Sequence, residues 1–284
     1  MQSKTVLLSN FIHDNNIVST CDFIPERINI GRVIYEVVRV INGTPLFFKE
    51  HIDRFFSSIV GAGFDVELSK KNLTLHVKSL IEVNKLLKGN IRFQLSFTEE
   101  SKPIFTAWVN PFHYPEKELY STGVSLSTIL AERKNPNIKM YNPKLAKNVS
   151  SQIFKKSIYE VLLINDEGII TEGSRSNIFF IKENTIFTPL STSVLPGITR
   201  QKILDIIEKC GIPCYEIDIK YNSVSSFGSA FITGTSIKAL PVNSIDEVNF
   251  NPKNTIIKKV MDEYDIIMNE DVEVFSWAHF VGAQ

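Results

Sequence analysis

The sequence predicts an α+β fold with two domains, and three of its features support this prediction. Its 284 residues correspond to about two average domains or one large one. Strand-like runs and helix-like segments are mixed along the chain, without the regular strand–helix alternation of a doubly wound parallel sheet. A segment rich in proline and charge follows residue 110 and divides the chain into two parts.

The N-terminal part begins its predicted structure with a hairpin. Residues 33–41 form a β-branched run that ends at Asn42-Gly43, a dipeptide that favours tight turns, and residues 46–48 continue as the second strand. Helical spacing of apolar residues then predicts two helices. The remaining predicted elements of this part are helices over 51–62 and 69–87 and strands over 91–98 and 104–109.

The most linker-like segment contains Asn110-Pro111 and Pro115-Glu116-Lys117-Glu118, so we place the domain boundary near residue 118. This division predicts a small N-terminal α+β domain, residues 1–118, and a larger C-terminal domain with a mixed sheet, residues 119–284. One of its helices ends at Gly211-Ile212-Pro213, a regular glycine-then-proline termination. Its predicted strands cover 124–130, 160–164, 169–170, 178–181, 185–187, 214–219 and 230–233, and its helices cover 146–157, 199–210 and 254–268.

The composition excludes several classes of function. Lysine and arginine together number 31, as do aspartate and glutamate, so no net charge attracts the chain to nucleic acid or to an anionic membrane. The chain has no run of about 20 apolar residues, no apolar block of a signal peptide and only three cysteines, which favours a soluble, cytoplasmic protein. The five histidines show no metal-ligand spacing, and we expect no metal site. Nucleotide-binding glycine motifs and the G-x-S-x-G of hydrolases are missing as well.

Four short motifs follow one another in a fixed order. They are H-I-D-R at 51–54, I-K-x-x-N at 138–142, T-E-G-x-x-S-N at 171–177 and P-G-I-T-R at 196–200. Each alone is a weak signal, but the ordered set is highly specific. With it, the sequence from about Gly31 to Val242 resembles the class IV aminotransferases, the fold type IV pyridoxal-phosphate enzymes. These include D-amino acid and branched-chain aminotransferases, R-selective amine transaminases and aminodeoxychorismate lyase.

The resemblance implies a pyridoxal 5′-phosphate cofactor bound between the two domains. It identifies Lys139 as the lysine that forms the Schiff base and then moves the substrate's α-proton. Lys144 and Lys147 lie close along the chain and are the alternatives. By its motif, Glu172 is the carboxylate that keeps the pyridine nitrogen protonated, so that the ring can accept electrons.

The phosphate of the cofactor requires donors although the chain has no net positive charge. Gly197-Ile198-Thr199 opens a predicted helix, so backbone N–H groups of Ile198 and Thr199 and the Thr199 hydroxyl can face an anion. The resemblance adds Arg54 as the charged partner. It also adds Thr235 and Ser236, which complete the phosphate site.

The substrate is less closely defined, although the resemblance places Tyr35 in its binding site. The usual D-amino acid aminotransferases carry a carboxylate-binding arginine after the Gln94 strand, where this chain has Phe97. Arg32 and Arg92 are the candidates to replace it. Arg175 and Lys238 also depart from the family pattern and add positive charge near the expected cofactor site. This excess charge favours a substrate with a second carboxylate.

The function expected from the resemblance is amino transfer between an amino acid, of D or branched-chain type, and a 2-keto acid. A 4-amino-4-deoxychorismate lyase that releases pyruvate is the first alternative. The segment Glu132-Arg133-Lys134-Asn135-Pro136 resembles the Arg-Asn-Pro approach to the lysine in the lyases, whereas Val37 stands where lyases tend to have threonine. A non-catalytic protein that binds the cofactor is the second alternative. The handedness of the substrate stays open. Family members pair as homodimers, and we expect the same here.

Overall fold

The structure, a computed structural model, describes residues 7–98 and 102–281. The described residues divide into two compact units. The first unit runs to His113 and includes Ile138–Tyr141 and the chain from Met268 onward; the second comprises Tyr114–Asn137 and Asn142–Ile267. The domain boundary near residue 118 stays a prediction. None of the described helices combines the length and the apolar character needed to cross a lipid bilayer.

The first unit is built on an antiparallel sheet whose order, over the described residues, is β2-β1-β6-β5-β3-β4. Its strands are β1 Leu7–His13, β2 Asn16–Ser19, β3 Arg32–Ile41, β4 Thr44–Pro45, β5 Lys88–Phe97 and β6 Ile104–Asn110. Its helices are α1 Pro25–Ile28, α2 Phe48–Gly61, α3 Lys70–Val83 and α8 Ala278–Val281.

The two faces of this sheet differ in character because side chains alternate along a strand. One face carries apolar residues such as Val38, Ile91 and Phe93, which join the side chains of α2 and α3 in one buried core. The opposite face carries polar side chains on β5, among them Arg92 and Gln94. Gln94 is fully buried. This second face therefore differs from the apolar core in having buried polar side chains.

The hairpin predicted at Asn42-Gly43 is confirmed, although its second strand is shorter and lies earlier than expected. Both turn residues have positive φ, 51° and 79°, as a two-residue hairpin turn of this kind requires. The second strand is Thr44–Pro45. Phe47 then adopts a left-handed conformation, with φ of 48°, and Phe48 begins α2. The backbone N–H of Phe47 donates to Oδ2 of Asp271 at 2.7 Å, a long-range contact that a local pattern does not reveal.

The second unit is built on a mixed sheet. Its order over the described residues is β12-β11-β10-β14-β15-β7-β8-β9-β13, and β16 pairs with β15. Parallel pairs join β7 to β8, β7 to β15 and β11 to β12. The strands are β7 Val124–Leu130, β8 Glu160–Ile164, β9 Ile169–Gly173, β10 Asn177–Lys182, β11 Thr185–Thr188, β12 Cys214–Glu216, β13 Ile219–Lys220, β14 Ser229–Gly234, β15 Lys238–Ile245 and β16 Val248–Asn249. The helices are α4 Leu119–Thr122, α5 Pro143–Lys156, α6 Ile198–Lys209 and α7 Thr255–Val274, the last of which extends beyond Ile267.

The α+β class is therefore confirmed, with one correction inside the second unit. The single strand predicted over 214–219 consists of two strands, β12 and β13, which lie at opposite ends of the sheet order. Ile217 between them donates its N–H to the carbonyl of Thr188, while Ile219 is buried and pairs with Ile170. Local β propensity identified both pieces but could not show that they join different neighbours.

Candidate active site

Lys139 belongs to a short segment that extends the sheet of the first unit along β3. The N–H of Tyr35 donates to the Lys139 carbonyl at 3.1 Å, and the N–H of Tyr141 donates to the Val33 carbonyl at 2.8 Å. Ile34 and Met140 form the antiparallel bridge between these two bonds. The Lys139 N–H donates to the hydroxyl of Ser58 at 3.2 Å. These contacts fix the backbone of the predicted Schiff-base lysine.

The Lys139 side chain lies against an aromatic ring of β3. Its amine nitrogen is 4.9 Å from the centre of the Tyr35 ring, a distance suited to a cation–π contact. Tyr35, predicted to contact the substrate, is thus a direct neighbour of the predicted reactive lysine. Tyr141, two residues beyond Lys139, meets the Tyr35 ring edge to face, with ring centres 6.2 Å apart.

Arg54 and His51, both on α2, converge on the buried carboxylate of Glu36. Arg54 donates from Nε to Oε1 and from Nη2 to Oε2, each at 2.7 Å, and His51 Nδ1 donates to Oε2 at 2.9 Å. Burial opposes ionisation of Glu36, but the charge and hydrogen bonds of Arg54 prevail and lower its pKa to about 2. Burial lowers the pKa of His51, and the hydrogen bond and charge of Glu36 offset part of this effect.

Arg92 lies on the polar face of the same sheet, surrounded by aromatic rings. Its guanidinium carbon is 4.4 Å from the centre of the Tyr35 ring, 5.1 Å from that of Tyr141 and 5.2 Å from that of Trp108. Burial lowers the pKa of Arg92, and the two tyrosines partly offset this effect. Because Tyr35 contacts both Arg92 and Lys139, the two cationic groups lie beside the same ring.

Arg32 is placed differently from Arg92. It is exposed at the start of β3, directly opposite Phe97 in the pairing of β3 with β5. Its guanidinium lies 4.3 Å from the centre of the Phe64 ring, and Phe64 stacks on Phe97 with ring centres 3.7 Å apart. Position 97, where the usual D-amino acid enzymes carry arginine, is therefore a phenylalanine whose ring stacks on Phe64.

Glu172, in the second unit, is buried and held from two sides. Its Oε1 lies 2.8 Å from Nε of Arg133, and its Oε2 accepts the N–H of Leu195 at 3.1 Å. Arg133 also donates from Nη2 to the carbonyl of Ser174 at 2.6 Å. The carboxylate predicted to face the pyridine nitrogen is therefore oriented by a guanidinium and a backbone donor.

Helix α6 begins with no capping side chain. Gly197 is its N-cap residue and has no side chain that could accept a hydrogen bond from the first turn. A Cβ atom at this position would clash with Oδ1 of Asn177, so a larger residue would displace that side chain. The buried hydroxyl of Thr199 lies 3.5 Å from that of Tyr264. Uncapped N–H groups at a helix N-terminus form a favourable place for a phosphate.

The turn that joins β14 to β15 carries Thr235 and Ser236, and both are partly buried. Thr233, at the end of β14, pairs in register with Asn177. Its hydroxyl is buried and has no hydrogen-bond partner among the described residues. A buried hydroxyl without a partner is rare in folded proteins, so a bound acceptor is a reasonable explanation for this one.

The two basic residues that depart from the family pattern both have acidic neighbours. The Lys238 amine is 2.6 Å from Oδ1 of Asp265. Arg175 is more exposed, and its Nε lies 3.9 Å from Oε2 of Glu160. Glu160 is buried and also accepts a hydrogen bond from the hydroxyl of Ser174 at 2.7 Å. The positive charge of Lys238 is therefore the more completely compensated of the two.

Sequence reasoning missed several groups that the structure associates with these residues. Arg133 was expected only as part of the segment that resembles the lyases, Glu132-Arg133-Lys134-Asn135-Pro136, yet it contacts Glu172. Glu36, Gln94 and Trp108 had no assigned role. Glu36 and Gln94 are polar residues within β-rich runs, which is a signal for buried polar groups. No local signal shows that Trp108 on β6 stands directly opposite Arg92 on the adjacent strand β5.

Comparison with known proteins gives a consistent result. The family described as amino-transferase class IV matches residues 33–245. A D-alanine aminotransferase from Bacillus licheniformis is 32% identical over 227 residues, which cover 76% of this chain and 80% of the relative.

Solved structures agree with the fold. The branched-chain amino acid aminotransferase of Escherichia coli superposes with a TM-score of 0.83 over 95% of this chain and 98% of that one, at 20% identity. A candidate 4-amino-4-deoxychorismate lyase from Legionella pneumophila superposes with a TM-score of 0.73 at 25% identity, over 86% of this chain and 93% of that one. The first of these similarities supports the fold alone, because its sequence identity is low.

Proposed function

The chain belongs to the class IV aminotransferase family and is an enzyme. From this premise we propose that it transfers an amino group between an amino acid and a 2-keto acid, with pyridoxal 5′-phosphate as cofactor. The observation that carries this proposal is the placement of Lys139. Two backbone hydrogen bonds hold its segment against β3, and its amine lies 4.9 Å from the centre of the Tyr35 ring. A lysine fixed in this way can bind an aldehyde and then act as a proton carrier.

The residues present fit this cofactor. A phosphate requires donors, and the uncapped start of α6 and the unpaired hydroxyl of Thr233 offer them. A pyridine ring requires a carboxylate at its nitrogen, and Glu172 is a buried carboxylate. An aldehyde requires an amine, which Lys139 supplies. When bound, the cofactor provides the aldehyde that takes up the substrate's amino group and the ring that accepts the electron pair of the broken C–H bond.

Each proposed cofactor residue then has a distinct role. Lys139 Nζ would hold the cofactor's aldehyde and, once released by the substrate's amino group, would take the proton from the substrate's Cα. Glu172, oriented by Arg133, holds a proton at the ring nitrogen. Arg54, oriented by its two hydrogen bonds to Glu36, would donate to the phosphate. Hydroxyl and backbone donors of Ile198, Thr199, Thr235 and Ser236 complete the phosphate site.

We further propose that Arg92 holds a substrate carboxylate, with Tyr35 beside it. Arg92 shares the Tyr35 ring with Lys139, so a substrate that reacts at the amine has a cation within reach. Arg32 is exposed and lies over Phe64, a ring that has no described contact with Lys139. The geometry therefore supports Arg92 over Arg32 as the replacement for the arginine missing at position 97.

A panel of single half-reactions tests the proposed function. The purified enzyme, loaded with pyridoxal phosphate, is mixed separately with D-alanine, D-glutamate, L-leucine, L-glutamate and an R-amine, and the absorbance of the bound cofactor is followed. We expect it to disappear with at least one amino acid and to return when a 2-keto acid is added. Retention of the absorbance with every amino acid would contradict amino transfer. The relatives favour D-alanine as the first substrate to test.

The lyase is the second candidate, because the Legionella pneumophila protein superposes over most of both chains. A lyase releases pyruvate from aminodeoxychorismate without any keto acid acceptor, whereas an aminotransferase requires one. Pyruvate measured after incubation without an acceptor would therefore replace the first proposal with the second. A protein that binds the cofactor but does neither would be non-catalytic.

We also propose a homodimer, as expected from the family. Light scattering coupled to size-exclusion chromatography tests this directly. We expect about twice the 32.2 kDa of the single chain. A species with the mass of one chain at micromolar concentration would contradict the proposal.

A further inference from the structure

Arg92 is a partly buried cation that pairs with no carboxylate among the described residues. Charged groups removed from water are normally paired with an opposite charge, since an isolated ion is costly to desolvate. Here three aromatic rings supply the contact instead, and ring faces attract a cation without cancelling its charge. The guanidinium therefore keeps its full charge available for a bound anion.

The hydrogen-bond partners of Arg92 are neutral as well. Its Nε donates to Oε1 of Gln94 at 3.0 Å, and its Nη2 donates to Oδ1 of Asn29 at 3.4 Å. Gln94 is itself fully buried, and its Nε2 donates to the carbonyl of Ile28, the last residue of α1. Both ends of the Gln94 amide are thus occupied, so its orientation is set by the fold and in turn orients Arg92.

A second donor near Arg92 lacks a partner. The indole N–H of Trp108 is buried and has no acceptor among the described residues. Trp108 stands directly opposite Arg92 in the pairing of β5 with β6, and the guanidinium lies 5.2 Å from the centre of its ring. The Arg92 guanidinium and the Trp108 indole N–H are therefore two neighbouring donors, and a negatively charged hydrogen-bond acceptor would satisfy both.

We propose that Gln94 is a specificity-determining positioning residue: it orients Arg92 while leaving the charge of Arg92 uncompensated, so that this place accepts a substrate carboxylate. The inference rests on the proposed function for its substrate, an amino or keto acid. What it adds to the proposed function is that the side chain at position 94 must be uncharged for Arg92 to bind a substrate carboxylate. Glutamate has the same length, but its carboxylate would pair with Arg92 from within the protein and compete with the substrate.

Two substitutions separate charge from structure. Gln94→Glu and Gln94→Leu both remove the donor to the Ile28 carbonyl, which keeps its bond from Ser96 at 2.6 Å. Only Gln94→Glu adds a negative charge. Gln152→Glu makes the same chemical change at a glutamine of the second unit that contacts Ser127 and Thr128. Near-ultraviolet circular dichroism of every variant establishes that it is folded.

The experiment measures binding of glutarate, a dicarboxylate that cannot react because it has no amino group, to the holoenzyme by calorimetry. The emission of Trp108 locates the binding event, in a Trp277→Phe background where Trp108 is the remaining one of two tryptophans. We expect Gln94→Leu to weaken glutarate binding about 2- to 5-fold and Gln94→Glu at least about 10-fold further. Affinity for pyridoxal phosphate should change less than about 2-fold, and Gln152→Glu should change neither affinity.

Equal weakening by Gln94→Glu and Gln94→Leu, or no weakening by either, would overturn the inference. Should Gln94→Glu fail to fold, Asn29→Asp decides, because it places a negative charge on the other neutral partner of Arg92 and glutarate binding must then weaken at least about 10-fold. Failure of the proposed function would be recognised differently: the protein without any substitution would bind no pyridoxal phosphate or convert no amino acid. If the protein binds the cofactor but converts no amino acid, the glutarate titration still gives its own result.

Discussion

The Glu36 carboxylate accepts two hydrogen bonds from the Arg54 guanidinium, from Nε to Oε1 and from Nη2 to Oε2, each 2.7 Å long. Glu36 is fully buried on β3, and Arg54 projects from α2. The pair joins the strand that carries Tyr35 to the helix that carries the arginine proposed for the phosphate. Such a pair orients Arg54 and contributes to stability only while Glu36 is ionised.

Glu36→Gln should lower the free energy of unfolding at neutral pH by roughly 3 kcal/mol, since the pKa of Glu36 falls from 4.5 to about 2 on folding. A lowered pKa stabilises the folded state above pH 4.5, and this contribution is lost as the pH falls toward 2. Urea unfolding at pH 7, 4 and 3 should therefore show a shrinking difference between wild type and variant. Glu82→Gln, at a largely exposed carboxylate, is the control, and a pH-independent gap for Glu36→Gln would count against the pair.

Lys139→Ala should abolish the covalent attachment of pyridoxal phosphate and reduce turnover by about 100- to 10,000-fold, because the lysine is both the attachment point and the proton carrier. Borohydride reduction followed by peptide mass spectrometry measures the attachment. Lys144→Ala and Lys147→Ala change exposed lysines nearby and should leave the label in place. A label found at either of those positions would disprove the assignment.

Glu172→Gln should lower kcat by about 100-fold with little change in KM, because a neutral amide cannot hold a proton at the ring nitrogen. Arg133→Gln should have a smaller effect, about 10-fold, since Glu172 keeps the N–H of Leu195 as a second contact. Single-turnover kinetics with the best amino acid measures both. If Arg133→Gln proves the more damaging change, Arg133 must have a role beyond orienting Glu172.

Arg92→Leu should raise the KM for amino acids about 10- to 100-fold, the cost of losing a charge-assisted hydrogen bond to a carboxylate. Arg32→Leu should change it less than about 3-fold, because Arg32 is exposed and stacks on Phe64. Steady-state kinetics on both variants gives the comparison. The reverse order of effects would transfer the carboxylate site from Arg92 to Arg32.

Arg175→Ala should raise the KM for glutamate-like substrates more than that for alanine. Lys238→Ala should show the same preference more weakly, since Asp265 lies 2.6 Å from its amine while the nearest acid to Arg175 is 3.9 Å away. Charges that are already paired contribute less to a ligand. The ratio of the two KM values in each variant provides the measurement, and equal effects on both substrates would rule out a role in selecting a second carboxylate.

The family and the elements that carry its motifs could be predicted from the sequence, because these depend on local order. The I-K-x-x-N and P-G-I-T-R segments need no partner to be recognised, and the start of α6 at Ile198 follows from a glycine before a helical pattern. The hairpin at Asn42-Gly43 likewise depends on two residues whose backbone accepts positive φ.

Only the tertiary structure decided which of two equally plausible arginines lies beside Lys139. Arg92 stands on a predicted strand and Arg32 directly precedes one, and the alternation of side chains gives no preference between them. The pairing of β5 with β3 on one side and β6 on the other brings Tyr35, Trp108 and Arg92 together on one face of the sheet. It places Arg32 at the exposed end of β3. Strand register joins residues far apart in the chain, so no local pattern could contain this information.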